Sequence, residues 1–324
     1  MVLIKNIQEA NRSRSSKPKT AVFVGATSGI GLGGIEALLK STKGSTVFII
    51  GRSKSKFATS LSRLRSIDPK ATITFLEAQV SLLQDIDRVC RTVSDITESL
   101  DILWLSQGGL GLRENLGCTG EGLPSDFAVS YYGRILFMRQ LAPLLGRSAD
   151  GRVLSILSAG FEGPVSVSDP CLMIDDNYAA TGFWGAQKQG VTMQSMAMLR
   201  LASQHPKVTF IHTNPGPVST EVHAKWSNSF TGVWTPVAWL IKFVMMPLFS
   251  LVGYTSEQAG EIGLFEVLDE SFSRSAGTNF YRLDDKAEDV GKAGLALLDR
   301  YREDLTEEQV WEHTAGVFDR ILGR

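Results

Sequence analysis

"TAVFVGATSGIGLGGIEALLK", residues 20–40, decides the fold. The apolar run Ala21–Val24 is short and unbroken, as in a strand buried on both faces. Glycines follow at 25, 29 and 31, and then an apolar helical stretch. Between a strand and a helix this pattern has a mechanical meaning. Gly25 permits a tight turn, Gly29 lets backbone approach a diphosphate, and Gly31 lets the helix pack closely on the strand. The helix N-terminus offers free N–H groups and a positive dipole end to phosphates. Gly25, Thr27, Ser28, Gly29, Ile30 and Gly31 are therefore the expected phosphate turn of a dinucleotide site. A merely structural glycine turn is the plainer alternative.

Outward from this turn, apolar strands alternate with helical patterns. "TVFIIGR" (46–52), "ATITFLEAQV" (71–80), "LDILWLSQGG" (100–109), "GRVLSILSAG" (151–160) and "KVTFIHTNPGPV" (207–218) read as strands two to six. Helical periodicity marks a segment with Leu61 and Leu64, then 127–145 and 188–204. "TSEQAGEIGLFEVL" (255–268) opens with a Ser-x-x-Gln-like start, and "GTNFYRLDD" (277–285) suits a last edge strand. A final helix is predicted from a capping box at Thr306-x-x-Gln309, with Val310, Trp311, Val317, Phe318 and Ile321 on one face. Such alternation implies βαβ units and an α/β fold with a Rossmann-type doubly wound parallel sheet. The expected layout is a flexible, basic, Ser-rich tail over 1–19, one Rossmann domain over 20–290 and a C-terminal helical extension over 291–324.

Composition narrows the function classes. The 324 residues are 43% hydrophobic and 21% charged with a formal net charge of −1, which gives no nucleic-acid footprint. Three scattered cysteines and four histidines without ligand spacing argue against a disulfide framework and a metal site. A reducing compartment fits, and the N-terminus lacks the apolar core of a secretory signal, so a cytoplasmic location is expected. The apolar stretch 230–254 approaches the length of a membrane span, but Lys242, Pro236 and Pro247 interrupt it. Within an insertion at 221–254, it suits a lid over a small hydrophobic substrate, or a face lying on a membrane surface or on a partner such as another copy.

The second strand ends Ile50-Gly51-Arg52, with no acid for a ribose 2′-hydroxyl. Arg52, followed by Ser53 and Lys54, would instead accept a 2′-phosphate, which favours NADP(H) over NAD. A basic surface turn is the alternative.

The glycine spacing, the serine-bearing fifth strand and "NPGPVST" (214–220) together resemble the short-chain dehydrogenase/reductase family over residues 20–285. The resemblance implies that Pro215, Gly216, Val218 and Thr220 meet the nicotinamide end of the cofactor. It makes Ser158 the active-site serine, puts Gly108 in the loop after the fourth strand, and matches Lys188 to the lysine that binds the nicotinamide ribose. Departures are as informative. Gln79-Val80 stands where an Asp meets the adenine, Ser130 where an Asn holds a relay water, and Trp184 where the tyrosine should be. Softer features are Tyr178, "TMQS" (192–195) and "WEHT" (311–314). These resemble divergent fungal members and suggest specialised metabolism.

An indole N–H donates a hydrogen bond but never yields its proton at neutral pH, so Trp184 is no general acid. Tyr178, Tyr131 and Tyr132 are the phenols left to weigh. Three uses stay open: an NADP(H)-dependent oxidoreductase on a small, largely apolar molecule; a non-redox isomerase, epimerase, dehydratase or cyclase; and an inactive NADP(H) sensor.

Overall fold

The computed structural model describes residues 4–14, 17–108, 117–172, 177–219, 239, 253–274 and 277–323, with side chains at 177–181 and 183 left out. The chain forms one sheet of seven parallel strands with helices on both faces. The sheet strands are β1 (Thr20–Val24), β2 (Thr46–Gly51), β3 (Thr72–Glu77), β4 (Ile102–Leu105), β5 (Gly151–Ile156), β6 (Val208–Thr213) and β9 (Phe280–Leu283). A two-stranded pair, β7 (Val218–Ser219) and β8 (Tyr254–Thr255), lies apart. The order β3-β2-β1-β4-β5-β6-β9 reverses between β1 and β4, where a doubly wound sheet opens a crevice at its carboxyl edge.

Helices α1 (Ile4–Arg14), α2 (Gly29–Ser41), α3 (Lys54–Ile67), α4 (Leu83–Ile96), α5 (Gly133–Leu145) and α6 (Asn177–Gln204) precede α7 (Ser256–Leu268), α8 (Leu295–Glu303) and α9 (Thr306–Leu322). Strand alternation builds two cores. Val22, Phe48, Leu103, Val153 and Phe210 face α4, α5, α6 and α9. Phe23, Ile49, Trp104, Leu154 and Ile211 face α2, α3 and α7. Both faces are apolar, which explains the unbroken hydrophobic runs.

On the second face, α2 and α7 meet backbone to backbone. A Cβ on Gly33 would lie 2.2 Å from the Ser256 oxygen, and one on Gly260 would lie 2.2 Å from the Gly33 carbonyl carbon. Trp104 fills the remaining space beneath them, stacked on Phe23 at 5.2 Å. Gly34 and Gly263 each face its ring, where a Cβ would approach to 2.6 and 2.4 Å.

Three local expectations need correction. The tail expected to be flexible contains α1, which docks on α7: Ile7 is buried, and Asn11 Nδ2 donates to Glu261 Oε2 at 2.7 Å. Tertiary burial overrides a composition that reads as disordered. At α7 the cap is Thr255, in a reciprocal capping box with Gln258. At α9 the box on Thr306 does not form. Thr306 is the first helical residue behind Leu305, and its N–H is taken by Asp304 Oδ1 at 3.0 Å. The insertion 221–254 lies outside the described residues except for Trp239, Gly253 and Tyr254. No helix among the described residues is long and apolar enough to cross a membrane.

The α2–α7 contact makes a stability prediction. Gly260→Ala should cost about 1–3 kcal/mol or more, because neither backbone can retreat without moving Trp104. Gly316→Ala, on α9 with nothing within 4 Å, should instead be neutral or stabilise by about 0.5–1 kcal/mol. Thermal melts of the two variants against wild type check this pair.

Candidate active site

The glycine turn is held from below. Gly25 and Gly29 have φ of 73° and 58°, the left-handed region. A Cβ on Gly25 would lie 2.4 Å from the backbone of Gln107, and one on Gly31 would lie 2.4 Å from Ser106 Oγ. Ser106 Oγ donates to the Val24 oxygen at 3.1 Å. The segment after β4 thus fixes the turn after β1. Ser28 caps α2 from extended backbone without a side-chain hydrogen bond, and Thr27 and Ser28 are exposed. The first-turn N–H groups of α2 therefore lack a side-chain cap at the switch point, an arrangement suited to phosphates.

Arg52 is exposed at the carboxyl end of β2, just before α3. Ser53 caps α3 by accepting from Lys56 N, and Glu77 Oε1 accepts from Lys54 N at 2.7 Å. The turn thus presents Arg52, Lys54 and Lys56 to solvent, with Glu77 bonded to its backbone.

Past the switch point stand Gly108, Ser158 and the turn after β6. Gly108 has φ 125°. Ser158 is half-buried, and its hydroxyl makes no hydrogen bond among the described residues. Asn214 Oδ1 accepts from Gly216 N at 3.2 Å, closing the Pro215-Gly216 turn. Gly216, at φ 63°, lies against Asp285, whose Oδ2 would be 2.6 Å from an added Cβ. Val218 is buried in β7, whereas Thr220 lies outside the described residues.

The loop after Ser158 is stitched along α6. Thr192 Oγ1 pairs with both the N–H and the carbonyl of Gly163, and Gln189 holds Ser166 N and the Pro170 carbonyl. Lys188 is exposed, and its stem lies along Gly163, so it does reach the Ser158 loop. Trp184, one turn earlier, is 66% exposed. Gly182, at φ 67° and ψ 169°, breaks α6. Tyr178 therefore sits on a separate turn from Lys188, and its side chain is outside the described residues.

Tyr131 and Tyr132 do not serve as proton donors. They end a π-helical segment, Ala128–Tyr132, and are fully buried. Tyr131 Oη meets Thr314 Oγ1 at 2.8 Å, while Tyr132 Oη meets Cys171 Sγ at 2.7 Å and His313 Nε2 at 2.8 Å. Burial pushes both phenols upward. "WEHT" is thus a clamp: α9 pins the segment carrying Ser130, whose hydroxyl donates to the Asp126 carbonyl at 2.5 Å.

Sequence reasoning missed Arg134 and Glu266. Arg134 is fully buried and bonds Leu105 O, Ser155 Oγ and Gln107 O, holding the end of β4 beneath Gly108. Burial lowers it to about 9, so it stays charged at neutral pH. Glu266 is buried on α7, with Oε1 accepting from Thr213 Oγ1 at 2.8 Å and Oε2 unpartnered. Burial raises it to about 8, which makes it a neutral acid at pH 7. Both looked like ordinary helix residues. The only cue was a charge inside an apolar period.

A family model described as short chain dehydrogenase matches residues 19–229. The chain belongs to the short-chain dehydrogenase family. Oxidoreductase AN1596 of Emericella nidulans is 31% identical over 100% of both chains. Oxidoreductase lepF of Aspergillus flavus is 29% identical over 94% of this chain and 92% of its own. Among solved structures, L-sorbose reductase from Gluconobacter frateurii, complexed with NADPH and L-sorbose, has a TM-score of 0.59 over 85% of this chain and 98% of its own, at 15% identity. That likeness is one of fold. By family and relatives the chain is an oxidoreductase of the short-chain type.

The buried titratable groups set opposing pH limbs. His212, held by Ser195 Oγ at 2.9 Å, is lowered by burial from 6.5 to about 3, so its contribution is present above pH 6.5 and lost as pH falls through 3. Glu266 is raised from 4.5, so its contribution is present below pH 4.5 and lost as pH rises through 8. At pH 7 that loss amounts to about 3 kcal/mol. Glu266→Gln should flatten the decline in melting temperature between pH 5 and 8 and leave the acid limb in place.

Proposed function

We propose that this protein is an NADP(H)-dependent oxidoreductase acting on a small, largely apolar carbonyl or alcohol, in specialised metabolism, with an unusual route for the proton. The observation that carries this reading is the α2 N-terminus, uncapped by any side chain behind Gly25 and Gly29, with Arg52 and the basic start of α3 on its adenosine side. These residues fit a phosphorylated dinucleotide. Free N–H groups take the diphosphate, and Arg52 takes the 2′-phosphate. Across the switch point the other half of the cofactor would lie over the ends of β5 and β6, toward Ser158 and Pro215.

When bound, the cofactor supplies or accepts a hydride. Ser158, with an uncommitted hydroxyl, donates to the substrate oxygen and steadies the charge that develops there. Lys188 stands beside the Ser158 loop as the ribose-side cation. Trp184 lines the entrance as an aromatic wall and can donate a hydrogen bond without releasing its proton. The proton comes from Tyr178 or from water.

The exposed indole at 184 favours a second reading, in which the same pocket performs a non-redox isomerisation or cyclisation with the substrate oriented by Ser158 and Trp184. Substrate turnover without consumption of NADPH would establish that reading and overturn the first.

Arg52→Ala should weaken NADPH about 10–100-fold and leave NADH unchanged, as measured by calorimetric titration. Equal losses for both would remove the 2′-phosphate assignment. Ser158→Ala should lower kcat/KM about 10²–10³-fold with NADPH affinity intact, as expected for loss of an oxyanion donor.

A further inference from the structure

Glu266 has no place in the chemistry just described, yet it occupies a telling position. A small cleft, partly open to solvent, is lined by Ile30 of the glycine turn, Ile156 at the end of β5, Asn214 and Pro215 after β6, and Glu266 from α7. The carboxyl has one oxygen on Thr213 and the other without any partner, although the side chain is only 1% exposed. An orphaned carboxyl oxygen buried against apolar walls is costly unless a ligand or a proton answers it. The pocket lies at the β5–β6 end of the crevice, on the far side of the switch point from Arg52. If a dinucleotide binds as proposed above, its nicotinamide end falls over this pocket.

We infer that Glu266 reads the charge of the nicotinamide ring: as a neutral acid it favours the uncharged reduced ring, and as a carboxylate it favours the positively charged oxidised ring. The inference rests on the dinucleotide reading and extends it to a residue that sets preference between the two redox forms. Only a proton passes, between Glu266 and water, and no bond of the cofactor changes in that exchange.

The surroundings make Glu266 the group to titrate. From β5, Arg152 points its guanidinium at the main-chain oxygens of Glu266 and Asp269, not at the carboxyl. Just after β9, the negative charge of Asp284 opposes ionisation of Glu266, and Asp285 lines the same cleft. Near them on β8 is Tyr254, shifted upward and away from the neutral range. The carboxylate of α2, Glu36, is engaged with Arg63 and Lys40. Helix α1 meets α7 through Asn11 on Glu261. Burial brings Glu266 to about 8, so both of its forms are accessible between pH 6.5 and 9.

The test is the ratio of the NADP⁺ and NADPH dissociation constants, measured by calorimetry at pH 6.5, 7.5 and 9 on wild type and Glu266→Gln. Adenosine, diphosphate and 2′-phosphate are common to both ligands, so their own pH dependence cancels. If the ring charge moves Glu266 by one pKa unit, NADP⁺ gains about ten-fold over NADPH across this window in wild type. Glu266→Gln should show a flat ratio. A flat wild-type ratio, or the same slope in the variant, overturns the inference and leaves the dinucleotide reading standing. Failure of both ligands to bind at every pH removes the dinucleotide reading and the inference with it.

Discussion

The backbone after β1 touches the backbone after β4, and most of the site depends on that contact. At Gly25 there is no room for a methyl group, because Gln107 occupies the space. The Ser106 hydroxyl ties the two segments together through the Val24 carbonyl. This contact fixes where α2 begins and aims its N–H groups at the switch point. It also sets the depth of α2, so that α7 can lie directly on it through Gly33 and Gly260. The pocket between Ile30 and Glu266 is a product of that same packing.

The other wall is organised by polar side chains instead of close backbones. Gln189 and Thr192 hold the loop after Ser158 against α6. Glu162 in that loop has a fully buried side chain, accepts from Ser195 Oγ at 2.9 Å and pairs with Arg282 at 3.3 Å. Breaking such a buried pair would leave an uncompensated charge, so the loop has little freedom to rearrange. From behind, α9 clamps Tyr131 and Tyr132 and with them the π-helical turn carrying Ser130. The C-terminal helix is therefore part of the active-site scaffold.

Within this frame the residues at the carboxyl edge are only partly those of the family pattern. The phosphate turn, the Ser158 position and the Pro215-Gly216 turn are all placed at the carboxyl edge of the sheet. Trp184 stands where the resemblance places the phenol, and Tyr131 and Tyr132 are bonded to Thr314, Cys171 and His313. Gly182 separates Tyr178 from the helix of Lys188.

The sequence by itself determined the α/β class, the six leading strands and the glycine turn between β1 and α2, because local glycine spacing and buried-strand periodicity are short-range signals. It also identified Trp184 as a residue unable to act as an acid, which is a matter of side-chain chemistry alone. Only the tertiary structure decided the fate of α1, whose polar composition says nothing of the docking surface on α7. The same holds for Tyr131 and Tyr132, whose partners lie some 180 residues away in α9. Arg134 and Glu266 were invisible for the same reason. A charged residue in a helix is read as solvated until the sheet beneath it and the helix beside it are known, and burial is what turns it into a buried cation or a neutral acid.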